Sequence, residues 1–284
     1  MGIAMNCNEA YKLFRDLEKL VSNEISIFTK DNKLDINQKD DRSLVTKCDK
    51  YIDKLTRDLV KSRGLQVISE ERENDLNILK SGNYVIIDAI DGTSGYIKHT
   101  KSSDNKLTPH INRDLGFNWD YSFLTAIVID GNPRFGFCHN YVTGENIFLS
   151  SGNIKDTIWE NSRDDFKAEN ALYVDNRSKN DGIQKLLSEK ADGIHLYSSP
   201  GLAFVYAQLR KHKSSVIYHF AQQNGLWDIA PACVISEITN TRILDGNGDY
   251  IKFRDYLNIP NKGLALIRGN NFSWIKETLK RKQN

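Results

Sequence analysis

No two cysteines in this chain are spaced for a metal or a redox centre. Cys7, Cys48, Cys138 and Cys233 lie far apart, and four in 284 residues do not make a disulfide scaffold. Free thiols in a reducing cytoplasm are the expectation. Long apolar runs are missing as well: Phe123 to Ile129 is far too short to span a bilayer. The opening MGIAMNCNEA has neither the basic start nor the apolar stretch of a secretory signal. Asn6 stands where a myristoylated start needs Ser or Thr. Charge of one sign is not in excess either. The 39 basic and 37 acidic side chains leave +2, which gives no reason to expect nucleic acid or a membrane surface as a partner. There is no repeat and no low-complexity tract. The rest is ordinary globular sequence, 39% hydrophobic and 27% charged, long enough for one large domain or two packed ones.

Apolar residues at Tyr11, Phe14, Leu17, Val21, Ile25 and Phe28 recur at spacings of three and four, predicting a first helix with Asn8 as its cap. After a polar stretch, a second helix is predicted over 46–63, with Cys48, Ile52, Leu55 and Leu59 on one face and Gly64 past its end. Strands are predicted over 65–69, 83–88, 122–129, 134–140 and 146–149, with a polar loop over 98–118. Beyond that, strand-like segments 171–174, 194–198 and 215–220 alternate with helical ones near 178–189, 201–212 and 227–239. A strand over 263–268 and a basic helix from about Phe272 close the chain. Such alternation predicts an α/β fold class. Apolar residues thin out between Ser150 and Asp165, which sets the expected boundary: an α+β unit over 1–155 and an α/β unit over 156–284.

The chemistry centres on Asp88-Ala89-Ile90-Asp91-Gly92-Thr93. An apolar strand delivers two carboxylates, three residues apart, into a turn. Carboxylates are hard oxygen ligands of the kind magnesium takes, together with water and substrate phosphate. The carbonyl of Ile90 falls at the same point. Gly92 lets the backbone turn so that N–H groups can face an anion. Taken alone, the six residues are equally a plain Asp-Gly turn after a core strand. Glu70 and Glu71 also follow a predicted strand, though adjacent glutamates are usually a solvated pair. Asp228 starts a helix, where a first-turn acid is favoured by the dipole in any case. Asp49 lies early on the second helix, where a solvated acid is the default.

The order Asp49, Glu70-Glu71, Asp88 to Thr93, Trp227-Asp228 resembles the inositol monophosphatase superfamily, whose signature runs D, E-E, D-P-(I/L)-D-G-(S/T), W-D, G-G. The resemblance covers roughly residues 9 to 250. Ser43-Leu44-Val45-Thr46 stands where the family has "LVT", and Ser199-Pro200-Gly201 where it has a small-residue turn into a helix. Four departures stand out. Ala89 replaces the usual proline, Asn240-Thr241 replaces the glycine pair, Pro231 falls in the last helix of the signature, where the first turn tolerates it, and the loop after Thr93 is long.

The resemblance implies a layered αβαβα sandwich of the inositol monophosphatase/fructose bisphosphatase type, and a Mg2+-dependent phosphomonoesterase binding two or three ions. Glu70, Asp88 and the Ile90 carbonyl would hold one ion, and Asp88, Asp91 and Asp228 a second; a third, weaker ion would sit near Glu70. Asp49, Glu70 and Thr93 would be catalytic, Asp49 and Thr93 orienting and deprotonating a water. Gly92, Thr93, Ser199 and Asp228 would contact substrate. The resemblance implies lithium sensitivity and allows a homodimer. Two branches compete for the substrate. Asn176-Arg177-Ser178-Lys179 resembles the "SRSH" stretch of 3′(2′),5′-bisphosphate nucleotidases, where Arg177 and Ser178 would hold a second phosphate. Gly95-Tyr96-Ile97-Lys98 resembles their "EFIK". The lean is therefore to phosphoadenosine phosphate, with inositol-1-monophosphate as the alternative.

Two rival readings remain. A haloacid-dehalogenase-type phosphatase uses D-x-D with the first aspartate as nucleophile, but here two residues separate the acids and Glu70 and Asp228 would go unexplained. A catalytically inactive ligand-binding member would be expected to have lost ligands, and the set of acids is intact.

Overall fold

The computed structural model describes residues 5–31, 35–38, 44–72, 74, 76–101, 120–162, 168–175, 191–219, 225–245, 248–254 and 264–269. Helix α1 spans Cys7–Asp31. Its cap is Asn6 rather than Asn8. Asn6 Oδ1 accepts from Glu9 N at 3.0 Å while Glu9 Oε2 accepts from Asn6 N at 2.9 Å, a reciprocal pair that only a spacing of three allows. Strands β1 (Ile36–Gln38) and β2 (Leu44–Thr46) form a small hairpin leading into α2, Lys47–Ser62. The buried face of α2 carries Cys48, Asp49, Ile52, Asp53, Thr56 and Val60, not Leu55 and Leu59, which are half-buried. A helix that turns two aspartates inward is built around a site rather than around a core alone.

Strand β3 (Val67–Ser69) is followed by short α3 (Leu76–Ser81), β4 (Tyr84–Asp91) and α4 (Thr93–Lys101). The predicted strand thus runs three residues further, through Asp91. Residues 93–101 are helical although their sequence is polar, because Tyr96, Ile97 and Thr100 are buried. Strands β5 (Ser122–Ile129), β6 (Asn132–Asn140), β7 (Asn146–Ser150) and β8 (Ile158–Glu160) complete a six-stranded sheet in the order β3-β4-β5-β6-β7-β8. It is antiparallel except for the β3–β4 pair.

A second sheet holds β9 (Asn170–Asp175), β10 (Gly193–Tyr197), β11 (Ser214–His219), β12 (Thr241–Asp245) and β13 (Leu264–Arg268), in the order β10-β9-β11-β13-β12. Helices α5 (Pro200–Leu209) and α6 (Leu226–Ile235) come from the same stretch of chain and pack against the first sheet as well. Pro231 sits in the second turn of α6, past the first-turn position where proline is harmless, so the bond its N–H would make to the Trp227 carbonyl is missing. The helices expected over 178–189 and from Phe272 lie outside the described residues.

The protein is α/β and layered. Ala10, Leu13, Phe14, Leu17 and Val21 of α1 pack with Val85, Ile87, Phe123 and Ile127 on one face of the first sheet. Tyr84, Ile86, Leu124, Ala126 and Val128 on the other face meet α5 and α6 and then Ala171, Tyr173, Ile217 and Leu266 of the second sheet. Among the described residues the layers therefore run helix, sheet, helix, sheet. No described helix is long and apolar enough to cross a membrane.

Phe14 is fully buried, stacked on Phe137 at 5.7 Å between centroids and tilted against Phe148 at 6.0 Å. Phe14→Ala should destabilise the fold by about 3–5 kcal/mol in denaturant unfolding, the usual cost of emptying a core aromatic site. A loss below about 1 kcal/mol would mean α1 contributes little to the core.

Candidate active site

In a regular strand, residues three apart face opposite sides of the sheet. Asp88 and Asp91 escape that rule through a β-bulge. Asp88 pairs with Leu124 and Asp91 with Ser122, so three steps on β4 match two on β5. Ala89 and Ile90 both pack toward α1 and α2, and the two aspartates emerge on the α5–α6 side together. One oxygen from each of Asp88, Asp91 and Asp228 lies within 4.8 Å of the others, and all three residues are buried.

Asp91 caps α5 from another element. Its Oδ2 accepts from Gly201 N at 2.9 Å and from the Ser199 hydroxyl, and the Leu202 N–H also donates to this carboxylate. Asp228 is in the first turn of α6, where its Oδ2 accepts from Gly225 N at 2.8 Å. Two helix starts therefore face the same cluster, and the positive end of a helix dipole favours anions.

Glu70 follows β3 directly, and its backbone N–H donates to the Ile87 carbonyl at 3.3 Å, which holds it beside Asp88. Buried Asp53 receives Arg57 Nε at 3.0 Å and Arg72 Nε at 3.7 Å, tying the segment after Glu70 to α2. One turn before Asp53, Asp49 Oδ2 accepts from Thr46 N at 2.8 Å and from the Thr46 hydroxyl. Asp49 Oδ1 accepts from Thr93 Oγ1 at 3.1 Å, which also lies 3.2 Å from the Ile90 carbonyl. Gly92 has φ +87°, and a Cβ there would meet Asp120 O at 2.8 Å and Ser198 O at 3.0 Å, so no side chain fits. α4 begins at the next residue, and its first-turn N–H groups form the positive end of a helix dipole.

The carboxyls are strained electrostatically. Burial, then the charges of Glu70, Asp91 and Asp228, raise Asp88 well above the ordinary range. Burial pushes Asp91 up to about 7, against the bonds from Ser199, Gly201 and Leu202 and with help from Glu70. Burial lifts Asp49 to about 6, moderated by Thr46 and Thr93. Asp88 Oδ1 accepts from Ile90 N at 3.0 Å, while its buried Oδ2 has no hydrogen-bond partner. An orphaned carboxylate oxygen among like charges is costly. A hard divalent cation would remove both problems, and the all-oxygen donor set suits magnesium.

The structure thus brings together Asp49, Glu70, Asp88, Ile90, Asp91, Gly92, Thr93 and Asp228. Ser199, expected at the substrate, is 1% exposed and bonded to Asp91 instead. Arg177 and Ser178 lie outside the described residues. Sequence reasoning missed Asp53 and Ser122. Asp53 was detectable as a second acid on the face of α2 that carries Asp49; Ser122 gave no signal.

The model of the inositol monophosphatase family matches residues 3–273. No curated protein is similar enough in sequence to count as a match. Among solved structures, the fold is similar to staphylococcal inositol monophosphatase-1 in a lithium chloride inhibitory complex, at 19% identity, covering 98% of this chain and 96% of that one with a TM-score of 0.70. It is also similar to an IMPase/NADP phosphatase complexed with Mg2+ and phosphate, at 20% identity, 96% and 95% coverage and a TM-score of 0.69. A third is the extragenic suppressor protein suhB from Bartonella henselae, at 15% identity, 95% and 98% coverage and a TM-score of 0.68. At these identities the likeness establishes the fold.

An acid whose pKa is raised on folding holds its proton more tightly in the folded state, so stability falls as pH climbs from the ordinary carboxylate range. For Asp91 that loss runs up to about pH 7. With a chelator present, Asp91→Asn should raise Tm at about pH 8, and the gain should shrink as pH drops toward about 5. A variant no more stable than wild type at the higher pH would show that the Asp91 charge is not repelled.

Proposed function

The chain belongs to the inositol monophosphatase family, a family of metal-dependent phosphatases, and from that premise we propose that it hydrolyses a small soluble phosphate monoester with magnesium. The observation that carries this reading is the buried Asp88, Asp91 and Asp228 cluster joined to Asp49 through Thr93 and the Ile90 carbonyl. Asp88, Asp91 and Asp228 would hold one magnesium, Glu70, Asp88 and the Ile90 carbonyl another, and a third would bind more weakly near Glu70. Magnesium, when bound, supplies Lewis acidity to phosphoryl oxygens and lowers the pKa of water.

The chain's own groups supply the rest. Thr93 has one hydroxyl proton and two acceptors, Asp49 Oδ1 and the Ile90 carbonyl. When that proton goes to Asp49, the Thr93 oxygen is left to accept one from an attacking water. Thr46 fixes Asp49 in the orientation this relay needs. With its pKa near 6, Asp49 is ionised at neutral pH yet basic enough to take a proton. Glu70 would help orient the water. The N–H groups of Gly92 and Thr93, at the start of α4, would grip the phosphate. The four cysteines are free among the described contacts, which suits the reducing cytoplasm in which we place the protein.

We assign the substrate to the bisphosphate nucleotides, such as phosphoadenosine phosphate. What supports this is sequence: Arg177 followed by Ser178, a planar cation and a hydroxyl suited to a phosphate that is not cleaved. Inositol-1-monophosphate is the second reading, favoured by the family's own description. One fold relative is named for both IMPase and NADP phosphatase activities.

A phosphate-release assay tests the core of this proposal. Chelation should abolish turnover, magnesium should restore it, and millimolar lithium should inhibit. Asp91→Asn should cost about 10²-fold or more in rate, whereas near-normal turnover, or activity surviving exhaustive chelation, would sink the cation mechanism. Substrate choice is tested at Arg177. Arg177→Ala should weaken use of phosphoadenosine phosphate by about 2–3 kcal/mol and leave inositol monophosphate hydrolysis nearly unchanged. Equal loss on both substrates, or a wild-type preference for inositol phosphate, would reject the nucleotide assignment.

A further inference from the structure

We infer that Ser199 is a positioning residue, which together with Ser122 fixes the Asp91 carboxylate for a divalent cation and does not touch substrate. The inference rests on the proposed cation site. Ser199 occupies the N-cap position of α5 yet makes no side-chain cap bond. A serine there ordinarily accepts from the N–H groups one turn into its own helix. Here Pro200 has no N–H, and the next two donors, Gly201 and Leu202, go to Asp91. The cap of α5 is therefore an aspartate 110 residues from Gly201 in the chain. That leaves the Ser199 hydroxyl for another task.

Proton accounting fixes what the task is. An ionised carboxylate only accepts, so Ser199 donates to Asp91 Oδ2. A hydroxyl has one proton, so the 2.8 Å contact between Ser122 Oγ and Ser199 Oγ must be donated by Ser122. Both hydroxyl dipoles then point toward Asp91. Ser122 is fully buried, Ser199 is 1% exposed, and Ser122 is also the β5 residue paired with Asp91. The backbone donor is also closely packed. A Cβ on Gly201 would clash with Leu124 Cδ1 and lie 2.8 Å from Asp228 O, so the first turn of α5 sits close against β5 and α6. Oδ2 is thus bonded to buried, closely packed protein donors, which set the plane of the carboxylate before any ion arrives. Partners of this kind, one bond behind a metal ligand, raise affinity by orienting it.

Magnesium titration calorimetry on the full chain tests this, with wild type, Asp91→Asn, Ser199→Ala and Ser122→Ala compared at one pH. Ser199→Ala should weaken magnesium binding by about 10-fold or more. The magnesium concentration for half-maximal activity should rise by the same factor, while kcat and KM at saturating magnesium stay near wild type. Tm in chelator should fall, because Asp91 loses a hydroxyl that opposes its buried charge, so magnesium affinity is compared at a temperature where every variant is folded. Ser122→Ala should move magnesium affinity the same way by less, and it carries the test if Ser199→Ala does not fold. If Asp91→Asn loses affinity but both serine variants keep it, Ser199 does not position Asp91. A higher KM at saturating magnesium with unchanged magnesium affinity would make Ser199 a substrate contact and overturn the inference. If Asp91→Asn also binds as wild type does, the cation site is wrong and the inference falls with it.

Discussion

The buried negative charge at the end of β4 is the constraint around which this protein is arranged. Asp88, Asp91 and Asp228 lie in mutual contact range below the surface, with Glu70 beside them. Like charges in a poorly hydrated place repel, and a fold that assembles them has to oppose that cost by other means. The structure shows two such means. Starts of α5 and α6 face the cluster with backbone N–H groups, and hydroxyls of Ser199 and Thr46 serve the carboxyls of Asp91 and Asp49. What remains unopposed is Asp88 Oδ2, the oxygen best placed for a ligand that the chain does not itself provide.

These same bonds join elements of the first sheet to the helix that follows a strand of the second. β4 belongs to the first sheet, whereas α5 follows β10 of the second. Asp91 capping α5 is therefore a tertiary bond as well as a component of the site. Packing reinforces it: α6 lies close on β6, where a Cβ at Gly136 would approach Pro231 Cα to 3.2 Å. Metal chemistry and the seating of α5 and α6 on the first sheet cannot be varied independently, since a displaced α5 would carry the donors of Asp91 with it.

The acids were legible through the order Asp49, Glu70-Glu71, Asp88 to Thr93, Trp227-Asp228, which resembles the family signature; taken singly each has an ordinary reading as a turn, a cap or a solvated acid. Long amphipathic α1 and the strands over 122–150 were legible from periodicity. The three-residue strands β1, β2, β3 and β8 are too short for any period to register, so only β3, which an apolar run extends, was anticipated. α4 was hidden by its polar composition, and burial of Tyr96 and Ile97 decides its conformation. Ser199 read as part of a small-residue turn and as a substrate contact because its partner, Asp91, is 108 residues away. No local pattern encodes a bond of that length, and the same holds for Ser122.

The bulge in β4 makes the spacing of the acids a matter of counting. A D-x-D pair on a flat strand faces one side by plain alternation. This chain reaches the same result with D-x-x-D, by inserting one residue and letting the ladder slip past it. What the two intervening residues are then matters less than that there are two. Ala89 can stand where relatives of this pattern have proline, since the bend comes from the pairing register and not from a locked backbone angle. Losing one of the two would leave a flat D-x-D with both acids still on that side, but it would also remove the unpaired residue of the bulge and with it the free placing of the Ile90 carbonyl that takes the Thr93 hydroxyl. The segment therefore accepts substitution, while deletion would take a backbone oxygen from the site, an asymmetry that belongs to the ladder rather than to any side chain in it.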